Sequence, residues 1–152
     1  MFASFRSPIE SNVEVLVGQA LFRDGAAAVI IGADPKHSIE HPLFELVLAS
    51  QTTVPDTENA IKRSQQEINK LVYYLDKDIP NIVTNNVKKC LVDELGELGF
   101  VDEIDWNKFF YAIHPGRAVI VSGVEEKLGL EKEKLSATWH VLSSTGTYGV
   151  QL

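Results

Sequence analysis

A chain of 152 residues with 45% apolar side chains is long enough for one domain with a real core and too short for two domains of ordinary size. Its 14 basic and 21 acidic side chains give a formal charge of −7, which opposes nucleic-acid phosphates and anionic membrane surfaces, so neither nucleic acid nor membrane is expected as a partner. No apolar stretch approaches the roughly 20 residues needed to span a bilayer. The single cysteine, Cys90, cannot form an internal disulfide. The N-terminal MFASFRSPIE lacks the basic start and apolar run of a signal peptide, so an intracellular, most simply cytoplasmic, protein is expected.

In chain order, residues 15–22 (VLVGQALF) read as a short helix with Asn12 available as its cap. Residues 26–32 (AAAVIIG) form an unbroken apolar run bounded by Asp24-Gly25 and Asp34-Pro35, the pattern of a strand covered on both faces. Residues 44–49 and 109–113 read the same way. Between Asp56 and Asp78 the pattern fits either a polar helix start or a hairpin edge, and periodicity leaves both open. The next helix is better marked: Asp78 can cap it, Pro80 falls in its first turn and Gly99 stops it. On that helix Val83, Val87, Leu91, Leu95 and Leu98 make one apolar stripe, while Lys88, Asp93 and Glu97 point away. Helices are also expected over residues 119–128, stopped by Gly129, and 132–144, before Gly146. Helices and strands alternate in the second half, which predicts an α/β layer structure. The series stops without closing strands and reads as truncated at both ends.

The run from Leu16 to Gly32, LVGQALFRDGAAAVIIG, resembles the corresponding stretch of plant chalcone and stilbene synthases nearly residue for residue. Collinear similarities follow in PLFELVLASQTTVPDTENAI from Pro42, in Lys77-Asp78-Ile79-Pro80, in FFYAIHPG from Phe109, in VEEKLGL from Val124 and in EKLSATWHVLSSTG from Glu133. The resemblance covers almost the whole chain from about Phe5 and marks residues 1–152 as a single domain of the C-terminal type. It implies a thiolase-like C-terminal half of αβα layers, a layered sheet with packed helices, from a homodimeric type III polyketide synthase. Such enzymes load an acyl group from a CoA thioester onto a cysteine and extend it by decarboxylative condensation with malonyl-CoA. A histidine and an asparagine stabilise the enolate oxyanion. No cofactor is implied beyond CoA thioesters as substrates.

The resemblance places His114 at the catalytic histidine, at a strand end where a helix start gathers amide donors. Thr147 stands where the family carries its asparagine, and one hydroxyl replaces an amide with two donors, which should impair oxyanion stabilisation. The catalytic cysteine and the groups that grip the CoA phosphates belong to the family's N-terminal half, so CoA affinity should be weak. Cys90, in the amphipathic helix with Lys88, Lys89 and Asp93 as its nearest charges and nothing in the sequence that places a base against it, reads as structural. Phe22 corresponds to one aromatic gatekeeper of the cavity, and Tyr73, or Tyr74 one residue on, to the other. Lys62-Arg63 stands where relatives have a glycine at the cavity floor, and Arg23-Asp24-Gly25 replaces Gly-Asp-Gly. Gly116 and Arg117 follow the histidine where two glycines keep the CoA approach open, and the arginine either crowds that approach or reaches a phosphate.

Without the resemblance, His114 and the aromatic residues read as ordinary structural groups. His37, His41 and His140 lack metal-ligand spacing, and no metal is expected. Glu125-Glu126 and the acidic loop of Asp102, Glu103 and Asp105 read as solvated surface. The functional readings are an acyltransferase half-site that needs a separate N-terminal half, a carrier or cyclase for a polyketide or phenolic ligand using His114 as general base, a non-catalytic partner of an intact synthase, and a degenerate fragment.

Overall fold

The computed structural model describes residues 26–66, 70–100 and 103–145. Two paired strands resolve the ambiguity of the middle region in favour of the hairpin. Strand β1 (Ile61–Gln66) pairs antiparallel with β2 (Lys70–Leu75), Ile61 opposite Leu75 and Gln66 opposite Lys70. Its open end is tied by the Asp76 amide donating to the Ala60 carbonyl at 2.9 Å.

Helix α1 (Ile79–Glu97) begins and stops where the sequence signals predict, with one difference in chemistry. Asp78 occupies the cap position, but its carboxylate accepts from the Asn81 side chain at 2.6 Å rather than from a helix amide. At the other end Gly99 takes φ +87°, and the Phe100 amide reaches back to the Leu95 carbonyl at 3.0 Å. That bond satisfies a carbonyl the helix leaves open, in a conformation glycine adopts without a Cβ penalty. Helix α2 (Ala118–Leu128) ends likewise at Gly129, φ +64°. A 3-10 turn over Lys132–Leu135 leads into helix α3 (Ser136–Thr145).

These helices and the 3-10 turn Trp106–Lys108 enclose the core. Trp106, Val124 and Leu128 are buried against Val87, Leu91 and Leu95 of α1 and against Ile104, Tyr111, Ile113, Ile120 and Leu130. Val121 and Leu135 are fully buried beside them. The predicted stripe on α1 is therefore used through its middle, while Val83 and Leu98, 37% and 42% exposed, lie at its margins.

The three apolar runs expected as covered strands differ from expectation. Residues 26–32, 44–49 and 109–113 carry no strand ladder among the described residues, and the hairpin is the only sheet there. Ile30, Phe44 and Leu46 are 103%, 73% and 79% exposed. A strand, unlike a helix, completes its backbone hydrogen bonds only against a neighbouring chain segment, so apolar sequence alone cannot make one. The chain is thus a helical assembly with one two-stranded sheet over the described residues, and the layered sheet is not formed there. No described helix is long and apolar enough to cross a membrane. The expected helix over 15–22 lies outside the described residues.

Candidate functional site

The segment from Phe109 to His114 keeps the period of an extended chain. Phe109, Tyr111 and Ile113 are half-buried, while Phe110, Ala112 and His114 are exposed. Successive side chains of an extended backbone point to opposite faces, so one face lies on the helices and the other, carrying His114, is largely open, with the Phe110 ring stacked on Phe44 at 5.5 Å. Side chains from elsewhere hold this segment in place of a ladder. Lys134 Nζ donates to the Phe109 carbonyl at 3.3 Å, and Thr138 Oγ1 donates to the Ile113 carbonyl at 3.3 Å. Tyr111 OH donates to the Trp106 carbonyl at 2.8 Å. Upstream, Asn107 anchors the entry to the segment, donating to Gly129 O at 3.0 Å and accepting from the Glu131 amide at 2.9 Å.

At the end of the segment the chain turns sharply into α2. The Gly116 amide donates to the His114 carbonyl at 2.8 Å, closing a three-residue turn with Pro115 at its centre, where proline's fixed φ suits the geometry. The imidazole lies beside Gly116: a Cβ there would stand 3.6 Å from His114 Cδ2 and 3.9 Å from Nε2. Glycine at 116 therefore leaves the flank of the ring open. Arg117 is the extended N-cap of α2, and its carbonyl accepts from the Ile120 and Val121 amides. Its side chain makes no cap bond and is half-buried. Negative charge is favoured at such a helix start, so an anionic group meeting His114 would find both an imidazole donor and the positive end of α2.

The structure brings His114, Gly116 and Arg117 into this one turn. In the hairpin Arg63 takes the register position opposite Tyr73, and Lys62 the position opposite Tyr74. Phe22 and Thr147 lie outside the described residues. Cys90 is half-buried on α1, in keeping with its reading as a helix residue. His37, His41 and His140 are exposed, and no cluster of three potential metal ligands exists among the described residues.

Of the acidic residues read as surface, Glu125 is half-buried and engaged instead. Glu125 accepts from Trp139 Nε1 at 2.6 Å and joins α2 to α3. Glu103 and Asp105 are exposed as expected, and Asp105 also accepts from the Asn107 amide at 3.1 Å, which caps the 3-10 turn. Thr138 was not among the expected site residues. A polar β-branched side chain on the inward face of the last helix was its only trace in the sequence.

A histidine presented at the end of an extended segment, with glycine open beside it and a helix start beneath, is an arrangement suited to stabilising developing negative charge, as acyl-transfer chemistry requires. The comparison with protein families gives the class of the chain. Residues 45–150, more than two thirds of the chain, match the family model for the C-terminal domain of chalcone and stilbene synthases. Residues 1–35 match that for the N-terminal domain. The chain belongs to the chalcone and stilbene synthase family, the type III polyketide synthases, which are transferases. The interval between the two matches contains a compact turn, in which the Ile39 and Glu40 amides both donate to the Lys36 carbonyl at 2.8 Å.

Proposed function

We propose that this chain supplies the histidine-bearing part of a type III polyketide synthase acyl-transfer site and does not condense acyl units alone. The family match over residues 45–150, with His114 exposed at the turn that precedes α2, carries the reading. In it His114 donates to the oxyanion formed when malonyl-CoA decarboxylates, and Thr147 takes the place of the asparagine as a weaker second donor. Gly116 and Arg117 border the CoA approach. Phe22, Tyr73 and Arg63 line the cavity. The chain's one cysteine, Cys90, is a half-buried residue of α1, and we place the nucleophile outside these 152 residues. We read the chain as one unit, of C-terminal type over residues 45–150 and preceded by a stretch of N-terminal type over residues 1–35, cytoplasmic and acting as a homodimer or with a second synthase chain.

The exposed apolar runs support a partner-dependent role. Val29, Ile30, Ile31, Phe44, Leu46 and Val47 are each more than two thirds exposed or nearly so, and full burial of one such side chain contributes about 1.5–3 kcal/mol. The same observation supports the second reading, a non-catalytic partner that docks on an intact synthase.

Reconstitution separates them. The purified chain is incubated with a CoA-linked starter and labelled malonyl-CoA, alone and with a separately produced N-terminal half of a type III synthase that carries its cysteine. No product alone and His114-dependent product with the added half is the expected result. Product from the chain alone overturns the dependence on an outside nucleophile, while product unaffected by His114→Ala moves the role to the non-catalytic partner.

A further inference from the structure

We infer that Thr138 is a positioning residue for His114, acting through the carbonyl of the residue before it; the inference rests on the reading of His114 as the functional histidine. Three observations converge. The Thr138 hydroxyl donates to Ile113 O at 3.3 Å, across 25 residues of sequence. The threonine is 4% exposed and is the buried polar residue of the described core. A threonine within a helix ordinarily returns its hydroxyl to a carbonyl three or four residues back in its own helix, as Thr84 does with Pro80 O at 2.9 Å. Thr138 instead spends that bond on the segment that bears His114.

The placement matters because no strand ladder flanks residues 109–113 among the described residues. The peptide plane between Ile113 and His114 sets the direction in which the imidazole leaves the chain, and Ile113 O is one edge of that plane. Holding the Ile113 carbonyl from α3 fixes that plane, while the turn through Pro115 holds the next one, at the His114 carbonyl. Lys134, four residues earlier, holds Phe109 O at the opposite end of the segment at 3.3 Å. The two side chains thus act as a clamp at both ends of the histidine's support. The bond of Thr138 is to a backbone carbonyl, so its effect on the imidazole passes through the backbone.

The test compares Thr138→Val, which keeps the shape and removes the donor, with Thr138→Ser, which keeps the donor and removes a methyl. The full 152-residue chain is used, and the first readout is the NMR spectrum of the His114 imidazole, with the Trp106 indole as a reporter of the core. The expected result is displaced or broadened His114 resonances in Thr138→Val, near-native ones in Thr138→Ser and an unmoved Trp106 signal. In the reconstituted reaction, turnover in Thr138→Val falls on the order of ten- to a hundred-fold with KM little changed, as for a misplaced catalytic group, and Thr138→Ser restores it. Native His114 resonances in Thr138→Val overturn the inference, as does equal displacement by both substitutions, which would assign the effect to packing. Should Thr138→Val not fold, the 13C shift of the Ile113 carbonyl in the unsubstituted protein and in Thr138→Ser decides, since a carbonyl without a hydrogen-bonded shift removes the clamp. A reaction indifferent to His114→Ala, beside a His114 spectrum that responds to Thr138→Val, rejects the functional histidine and leaves the positioning intact.

Discussion

Gly123 of α2 passes so close to Thr84 of α1 that any Cβ at position 123 would fall inside contact distance of Thr84 Cγ2 and stand 3.3 Å from its Cβ. Thr84 cannot easily turn away, because its hydroxyl is bonded to Pro80 O at 2.9 Å and reaches Asn81 O at 3.3 Å. The crossing of the two helices is therefore set by a missing side chain on one and a held rotamer on the other. It fixes how α2, and with it the turn at His114, sits on α1.

Gly123→Ala is expected to destabilise the chain by about 1–3 kcal/mol through overpacking, despite alanine's better helix propensity. Combined with Thr84→Ala, which removes Cγ2, the same substitution becomes neutral or stabilising by up to about 1 kcal/mol. A double-mutant cycle in urea reads the reversal, and additive effects would show that the helices separate without cost.

Stability should fall on the alkaline side through Tyr111. Burial first, and the charge of Asp105 second, raise its phenol above the usual value of 10.0. The folded state therefore holds the proton more tightly than the unfolded state. The associated stability is complete below pH 10 and is lost as pH rises through the folded value. Tyr111→Phe costs about 1 kcal/mol at neutral pH by leaving the Trp106 carbonyl without its donor, and it flattens the decline above pH 10. Urea melts between pH 8 and 11 compare the two proteins.

The contact between α2 and α3 is tested at Trp139. Its indole N–H is bonded to Glu125 at 2.6 Å, and Glu125→Ala leaves a half-buried donor unmet. A loss of about 1–2 kcal/mol is expected, with Glu125→Gln retaining much of the stability because its amide oxygen still accepts. Tryptophan emission and urea midpoints report both variants.

Thr147→Asn bears on the proposed chemistry. One oxyanion donor is commonly worth on the order of a hundred- to a thousand-fold in rate, so restoring the amide should raise product formation in the reconstituted reaction at least about tenfold. An unchanged rate would place Thr147 outside the reacting centre.

Helix boundaries and family were open to reading in the sequence because their causes are local or collinear. Gly99 and Gly129 end α1 and α2 through backbone conformations that their own residue type favours, and an apolar stripe needs only its spacing to declare a buried face. The place of His114 at the end of an extended segment ahead of α2 was legible for a similar reason, since residues 109–116 form one continuous stretch. Tertiary structure alone decided the rest. Equally apolar runs at 26–32 and 44–49 remain uncovered, the hairpin aligns Arg63 with Tyr73, Glu125 meets Trp139, and Thr138 reaches Ile113 across 25 residues. Each of these depends on what lies alongside in space, and a strand's partner or a side chain's distant acceptor leaves no periodic mark on the residues that use it.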